Sequence, residues 1–309
     1  MSLIVIDPGL STTIQDGGRP GYREWGVPLG GAFDRGSAGL ANALVGNMPG
    51  CAVLEMTLVG GQYRAVVPLA LALAGAPLEA KVVCADATQR HVPIPSSFSL
   101  LEGESLVLGR TVAGARTYLA ARSGWQRKAR LGSRSSEQRL KAGEILVAAS
   151  GTVGTRRPSE PTWRPPGDGP FRIIAGPDGR FYPELDHAFW SARRFQVSSQ
   201  SNRMGLRLQG EPVAIAAPAE RLSAPVAPGA LQVAGDQLIV LGVACGTMGG
   251  YPHVAHLISA DLDRLGQLRP GDTIMFCVIS LEEARALDRS ERQVQGELLR
   301  RVATLVEGA

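Results

Sequence analysis

The run LALALAGAP at residues 69–77 decides the reading of the fold. Six apolar residues close in a Gly-Ala-Pro turn signal, a length that suits a buried strand and falls far short of a membrane span. Runs of the same kind recur: SLIVIDPG (2–9), SLVLGR (105–110), TYLAAR (117–122), EILVAAS (144–150), LIVLGVACG (238–246) and TIMFCVIS (273–280). They are rich in Leu and β-branched residues, with turns at close spacing. That pattern predicts barrels or sandwiches rather than a βαβ alternation. The expected class is therefore mainly β with a few helices.

Three helices are expected. Residues 33–44, FDRGSAGLANAL, carry Asp34 near the helix start. A short helix is expected within 255–265, centred on 260–265. The last helix has the firmest signal. Ser280 opens S-L-E-E, a capping box with Glu283 at the third helical position. Leu281, Ala284, Leu287, Val294, Leu298, Val302 and Leu305 follow at roughly helical spacing, expected to pack on their own domain.

The stretch 151–170, GTVGTRRPSEPTWRPPGDGP, is dense in Pro and Gly and keeps no hydrophobic period. It reads as a linker between a first domain at 1–150 and a second at 171–309, which ends in the C-terminal helix. The sequence leaves open whether the N-terminal motif at 8–34 lies inside the first domain or across the second.

Bulk properties exclude several classes. Hydrophobic residues make up 44% and charged residues 19%, which suits a chain with a sizeable core and argues against disorder. Aromatics are only 5%, too few for a base-stacking surface. The net charge of +4 is concentrated in RSGWQRKARLGSRSSEQRLK (122–141). This run reads first as a solvated loop face, then as an anionic-substrate loop or partner surface. No nucleic-acid signature accompanies it. Cys51, Cys84, Cys245 and Cys277 form no C-x-x-C pair and read as buried free thiols of a reducing compartment. The opening MSLIVIDPGLSTT lacks a basic n-region, so a cytoplasmic location and no membrane association are expected.

Chemistry-bearing motifs are sparse. No Walker loop, no strand-GxGxxG-helix unit and no nucleophile elbow are present. His253 and His256 are three apart and could share a helical face, but without a carboxylate cluster no metal site is expected. The informative stretch is PGLSTTIQDGGRPGYREWGVPLGGAFD (8–34). Its glycines let backbone N–H groups approach a ligand, and Gln15, Asp16, Arg19, Tyr22 and Asp34 are interleaved among them. The alternative is a set of tight turns in which Asp16 and Arg19 pair with each other. CGTMGGYP (245–252) adds Thr247, the Gly249-Gly250 pair and Tyr251. SQSNRMGLRLQG (199–210) adds Arg203, whose planar fork could clamp a carboxylate or phosphate, or lie exposed with Arg207 on an alternating strand.

These segments carry a family resemblance. PGLSTTIQDGGRPGY, GVPLGGAFD, ANALVGNMPGCAVLE, LGSRSS (131–136), SNRMGLRL, PGALQV (228–233), GTMGGYP and QLRPGD (267–272) stand in the order of the biotin-dependent carboxyltransferase-like family, also called allophanate hydrolase subunit 2. The similarity runs from the first residues to the last helix. The resemblance implies a pair of cyclophilin-like β-barrel domains and a companion of the allophanate hydrolase subunit 1 type. In bacteria such assemblies, with a third subunit, open 5-oxoproline to glutamate at the expense of ATP. In urea carboxylase the equivalent region moves a carboxyl group from biotin to urea. ATP with Mg²⁺ is implied for the assembled complex and biotin for the carboxyltransferase branch, while this chain carries no motif for either.

Matching polar residues are Thr13, Gln15, Asp16, Arg19, Tyr22, Asp34, Asn42, Glu55, Arg203, Gln232, Thr247 and Tyr251, with Gly249 and Gly250. From these, Asp16, Arg19, Asp34 and Arg203 are the catalytic candidates. Gln15, Tyr22, Gln232, Thr247, Gly249, Gly250 and Tyr251 are expected to bind a small amide or lactam. The chain departs from the family at Asn202, where an aspartate is usual, and at Ala224, Ala244, Gly246 and Met248, where polar groups are lost. Two readings follow: an enzyme subunit acting on a cyclic or linear amide, or a divergent binding or regulatory subunit that keeps its partner surface.

Overall fold

The computed structural model describes residues 1–160, 162–163, 165–213 and 222–307. Strands account for 33% of the chain and helices for 18%, so the mainly β expectation holds. The chain forms two units that are not continuous in sequence. Unit 1 comprises Met1–Gly18, Asp34–Pro165 and Val294–Ala309; unit 2 comprises Arg19–Phe33 and Pro166–Gln293.

Unit 1 contains β1 (Leu3–Asp7), β2 (Thr12–Gln15), α1 (Arg35–Leu44), β3 (Val53–Thr57), β4 (Gln62–Ala65), β5 (Leu69–Gly75), β6 (Leu78–Val83), β7 (Gln89–His91), β8 (Ser96–Leu100), β9 (Ser105–Thr111), β10 (Arg116–Ala121) and β11 (Ile145–Leu146). They form two sheets, ordered β11-β1-β4-β9-β6-β7 and β2-β3-β10-β5-β8. Alternation divides each strand of the second sheet between two environments. Leu69, Leu71 and Leu73 of β5 join Ile14, Leu54, Met56 and Leu119 in the main hydrophobic cluster. The intervening Ala70, Ala72 and Ala74 are fully buried on the other face, where small side chains leave room for α1, which packs on β10 and β5. The LALALAG pattern thus encodes one large-residue face and one small-residue face.

The edge of β8 is covered by the Pro/Gly-rich segment that follows β11. Ser97 N–H donates to Arg156 O at 3.0 Å, and the Ser97 and Ser99 hydroxyls donate to the carbonyls of Gly154 and Val153 at 2.8 and 2.9 Å. Sheet edges left bare invite pairing with other chains; here residues 153–156 occupy that edge.

Unit 2 contains β12 (Phe171–Ala175), α2 (His187–Ala192), β13 (Phe195–Val197), β14 (Gly205–Gln209), β15 (Ala224–Pro225), β16 (Ala230–Ala234), β17 (Gln237–Leu241), β18 (Met248–Gly249), β19 (His253–Leu257), α3 (Leu262–Leu265), β20 (Thr273–Ile274) and β21 (Phe276–Val278). One sheet has the order β20-β13-β14-β17-β16-β19-β12-β21, and β15 pairs with β18 as a separate ribbon. The β12–β21 pair is parallel. Phe33, Phe171, Trp190, Phe195 and Phe276 anchor the core of this unit. A buried carboxylate, Asp261, accepts from Arg172 Nη2 at 2.5 Å and from Arg264 Nη1 at 3.2 Å.

Helix α4 spans Leu281–Glu307. The capping box forms as read: Ser280 N–H donates to Glu283 Oε2 at 2.8 Å and Glu283 N–H to Ser280 Oγ at 3.1 Å. Val302 is buried and Leu299 lies over Gly39, so the end of the helix from Val294 packs within unit 1 and not on the C-terminal domain expected from the sequence. Leu305, the last position of the expected stripe, lies outside the residues whose side chains are described. The helix expected within 255–265 is confined to Leu262–Leu265, because His253–Leu257 is committed to β19. No described helix is long and apolar enough to cross a membrane.

Candidate functional site

The sequence-predicted residues divide between the units. Gln15, Asp16 and Asp34 belong to unit 1; Arg19, Tyr22, Arg203, Gln232, Thr247, Gly249, Gly250 and Tyr251 belong to unit 2.

In unit 1, Asp16 follows β2 and gathers the LGSRSS loop around its carboxylate. Oδ1 accepts from Ser133 Oγ and Ser135 Oγ, each at 2.6 Å, and from Gly18 N–H at 2.9 Å. Oδ2 accepts from Arg134 N–H at 2.5 Å. Partial burial pushes the Asp16 pKa up, but the two serine hydroxyls and the two backbone N–H groups together hold it below the usual aspartate value. The alternative of an Asp16–Arg19 pair is replaced by these four donors. Gln15 is fully buried; its Nε2 donates to Thr13 Oγ1 at 2.9 Å and to Ser136 O at 3.0 Å, while Oε1 is buried with no hydrogen-bond partner. Asp34 caps α1, accepting from Ser37 N–H at 2.8 Å and Ser37 Oγ at 2.6 Å.

Sequence reasoning passed over Arg116 and Tyr118, which complete a buried polar group on the α1 face of the same sheet. Tyr118 Oη accepts from Asp34 N–H at 2.8 Å and donates to Glu55 Oε2 at 2.9 Å. Arg116 Nε stands 3.4 Å from Glu55 Oε1, with both side chains almost fully buried. Burial first, then the neighbouring Glu55 and Asp34 charges, raise the Tyr118 pKa well above normal, so the phenol stays protonated and serves as a donor. The signal was present in VLEMT (53–57), where a Glu sits between two core-facing apolar residues.

In unit 2, the segment Arg19–Phe33 is held by residues far along the chain. Gly30 N–H donates to Val243 O at 2.9 Å, and Arg203 Nη2 donates to Gly31 O at 2.6 Å. Arg203 is itself fixed by its backbone, whose carbonyl accepts from Ala244 N–H at 3.0 Å. Gly242 is needed there, since an added Cβ would come within 2.3 Å of Arg203 O. Arg23, another residue that sequence reasoning did not single out, donates from Nη2 to Val226 O and, at 3.4 Å, to Gly246 O.

These contacts lead directly into the ribbon of β15 and β18. Val226 N–H donates to Thr247 O at 3.0 Å, Ala224 pairs with Gly249, and Gln232 Nε2 donates to Tyr251 O at 3.2 Å. A Cβ on Gly249 would lie 2.6 Å from Gln232 Nε2, so glycine lets the amide approach the ribbon. Tyr22 stacks edge-on with Trp25 at 5.5 Å. The unit therefore brings Arg203, Gln232, Thr247, Gly249 and Tyr251 into one hydrogen-bonded neighbourhood with the segment that carries Arg19 and Tyr22.

His253 and His256 lie on β19, not on a helix. His256 Nδ1 and His253 Nε2 are 3.2 Å apart. Burial, then the adjacent His253, push the His256 pKa down to about 4. Among the described residues, no group of three or more His, Cys, Asp or Glu could hold a metal ion. The four cysteines are free thiols; Cys245 is buried and the others partly so.

Comparison with known proteins finds relatives that match over most of the chain. The chain is 34% identical over 296 residues to a 5-oxoprolinase subunit of Escherichia coli, covering 91% of this chain and 93% of that protein. It is 29% identical over 310 residues to the 5-oxoprolinase subunit of the same designation in Haemophilus influenzae, covering 96% and 97%. The crystal structure of Kluyveromyces lactis urea carboxylase superposes with a TM-score of 0.83 at 27% identity, covering 96% of this chain and 29% of that one. The model of the carboxyltransferase domain, subdomain A and B, matches residues 25–278. The chain belongs to that carboxyltransferase domain family.

Proposed function

We propose that this chain is a subunit of an ATP-dependent, 5-oxoprolinase-type amidohydrolase that opens 5-oxoproline to L-glutamate. It acts in the cytoplasm with a companion of the allophanate hydrolase subunit 1 type. The observation that carries the reading is the 34% identity to a bacterial 5-oxoprolinase subunit over nearly the whole length of both proteins.

The chemistry sets what the site must supply. A lactam nitrogen is a poor leaving group, so ring opening needs a carbonyl activated by phosphorylation, or a nitrogen activated by carboxylation. Either route develops negative charge on oxygen that preorganised donors must stabilise. Arg203, fixed by Gly31 O and by its own backbone, is the principal donor, with Arg19 and the backbone N–H groups near Gly249 and Gly250. Gln232, Thr247, Tyr251 and Tyr22 contact the substrate. Asp16 and Asp34 act as positioning residues: one fastens the 133–135 loop and the other caps α1. Gln15 keeps one carboxamide oxygen for an N–H donor. ATP and Mg²⁺, or biotin in a carboxyltransferase reaction, enter at the level of the complex.

The second reading, a regulatory subunit without catalysis, draws on Asn202, Ala224, Ala244 and Met248. One of these departures is conservative. Asn202 Oδ1 accepts from Met204 N–H at 2.8 Å, a bond an aspartate would make equally well, so the turn before β14 survives. Reconstitution with the companion subunits tests the choice. Glutamate formed from 5-oxoproline with matching ATP hydrolysis is expected. A stable complex inactive on lactams and ureas would favour the regulatory reading.

A further inference from the structure

We infer that Arg23 is a carboxylate anchor in unit 2, selecting a carboxylate-bearing substrate over a neutral lactam or urea. The inference rests on the proposed function for the identity of the lactam, but not for the chemistry of the anchor.

Arg23 is partly buried, and its charge is uncompensated. Its Nη2 donates to the carbonyls of Val226 and Gly246, and the guanidinium also interacts with the Cys245 thiol, while Nη1 is shielded from solvent with its hydrogen-bonding capacity unmet. No carboxylate among the described residues pairs with it. The neighbouring thiol does not fill that role. Burial raises the Cys245 pKa and outweighs the opposite pull of Arg23, so the sulfur is neutral near pH 7. Two carbonyl dipoles orient a guanidinium without neutralising it, and a partly buried cation with one donor unmet gains from an anion beside it.

The contrast inside the same unit is informative. Arg172 and Arg264 both pair with the buried Asp261, so unit 2 does supply carboxylates to arginines whose role is structural. Arg23 instead reaches both strands of the β15–β18 ribbon, at Val226 just after β15 and Gly246 just before β18. Thr247, Gly249 and Tyr251 follow directly. An arginine placed so, with one donor unmet and the guanidinium only partly buried, matches a small carboxylate through a charge-assisted hydrogen bond. 5-Oxoproline and glutamate carry such a group; urea does not.

The test is calorimetric binding to the assembled complex, wild type and Arg23→Gln. The ligands are 5-oxoproline, glutamate and acetate, each measured beside its neutral carboxamide. Wild type should prefer one carboxylate over its carboxamide by about tenfold or more. The variant should lose that preference by weakening the carboxylate alone, leaving the carboxamide within about twofold. Equal weakening of both members would mean that Arg23 only clamps the ribbon, and the inference would fall. It would fall equally if wild type showed no preference for any carboxylate. An Arg23-dependent preference for a carboxylate other than 5-oxoproline would uphold the anchor and overturn the 5-oxoproline reading instead.

Discussion

Asp16 and Arg23 are seven positions apart in the same glycine-rich motif, yet their surroundings are opposite. Asp16, in unit 1, has four donors on its two oxygens and a lowered pKa. Arg23, in unit 2, has two carbonyls, an unmet donor and no carboxylate partner among the described residues. A charged group whose hydrogen-bonding capacity is filled by its own chain is holding structure. One that is oriented but not neutralised is available to a ligand. Charged residues in one motif therefore need not share one role.

The largest effect should come from the most enclosed pair. Glu55→Ala removes the buried carboxylate that faces Arg116, and should cost unit 1 about 3–5 kcal/mol in denaturant unfolding. A loss below about 1 kcal/mol would mean that the Glu55–Arg116–Tyr118 group is not the structural element its burial suggests.

Next comes acid. The unfolded chain protonates His256 near pH 6.5, whereas the folded chain does so only at about 4. Stability therefore falls as pH drops through that window, by up to about 3 kcal/mol, and this group contributes no further loss below it. Unfolding followed from pH 7 to pH 4 should show the slope, and His256→Gln should flatten it.

Asp16→Asn should cost about 2 kcal/mol, because an amide can accept at only one of the two oxygens. The wild-type contribution is fully present above the ordinary aspartate range and is lost as pH falls through the lowered folded value. Arg23→Gln should change stability by less than about 1 kcal/mol, since the lost carbonyl bonds are offset by removal of an uncompensated charge. Reversal of these last two in order would undo the contrast between the two residues.

Much of the fold was legible because it is written locally. The Asp34 cap and the Ser280–Glu283 box are short-range patterns that formed as read. So did the strand at 69–75. The assignment of Arg19–Phe33 to unit 2 was not legible, because it depends on partners such as Arg203, 172 residues from Gly31. No local period records such a contact. Helix α2 escaped notice because HAFWSA is too short to show helical spacing. TIMFCVIS read as one strand but serves two neighbours, β20 beside β13 and β21 beside β12. In the site, glycine density and hydroxyls pointed to the β15–β18 ribbon. Arg23 was hidden because its identity as a cation says nothing of whether a carboxylate awaits it.

The most direct measurement is turnover of the reconstituted complex with Arg203→Ala and, separately, Asp16→Asn, each with its thermal unfolding recorded. The account predicts that Arg203→Ala keeps its melting temperature within a few degrees and loses about 100-fold or more in kcat/KM for 5-oxoproline. It predicts that Asp16→Asn melts earlier while the folded fraction turns over at close to the wild-type rate. Full turnover in Arg203→Ala, or abolished turnover in an Asp16→Asn protein of unchanged stability, would contradict it.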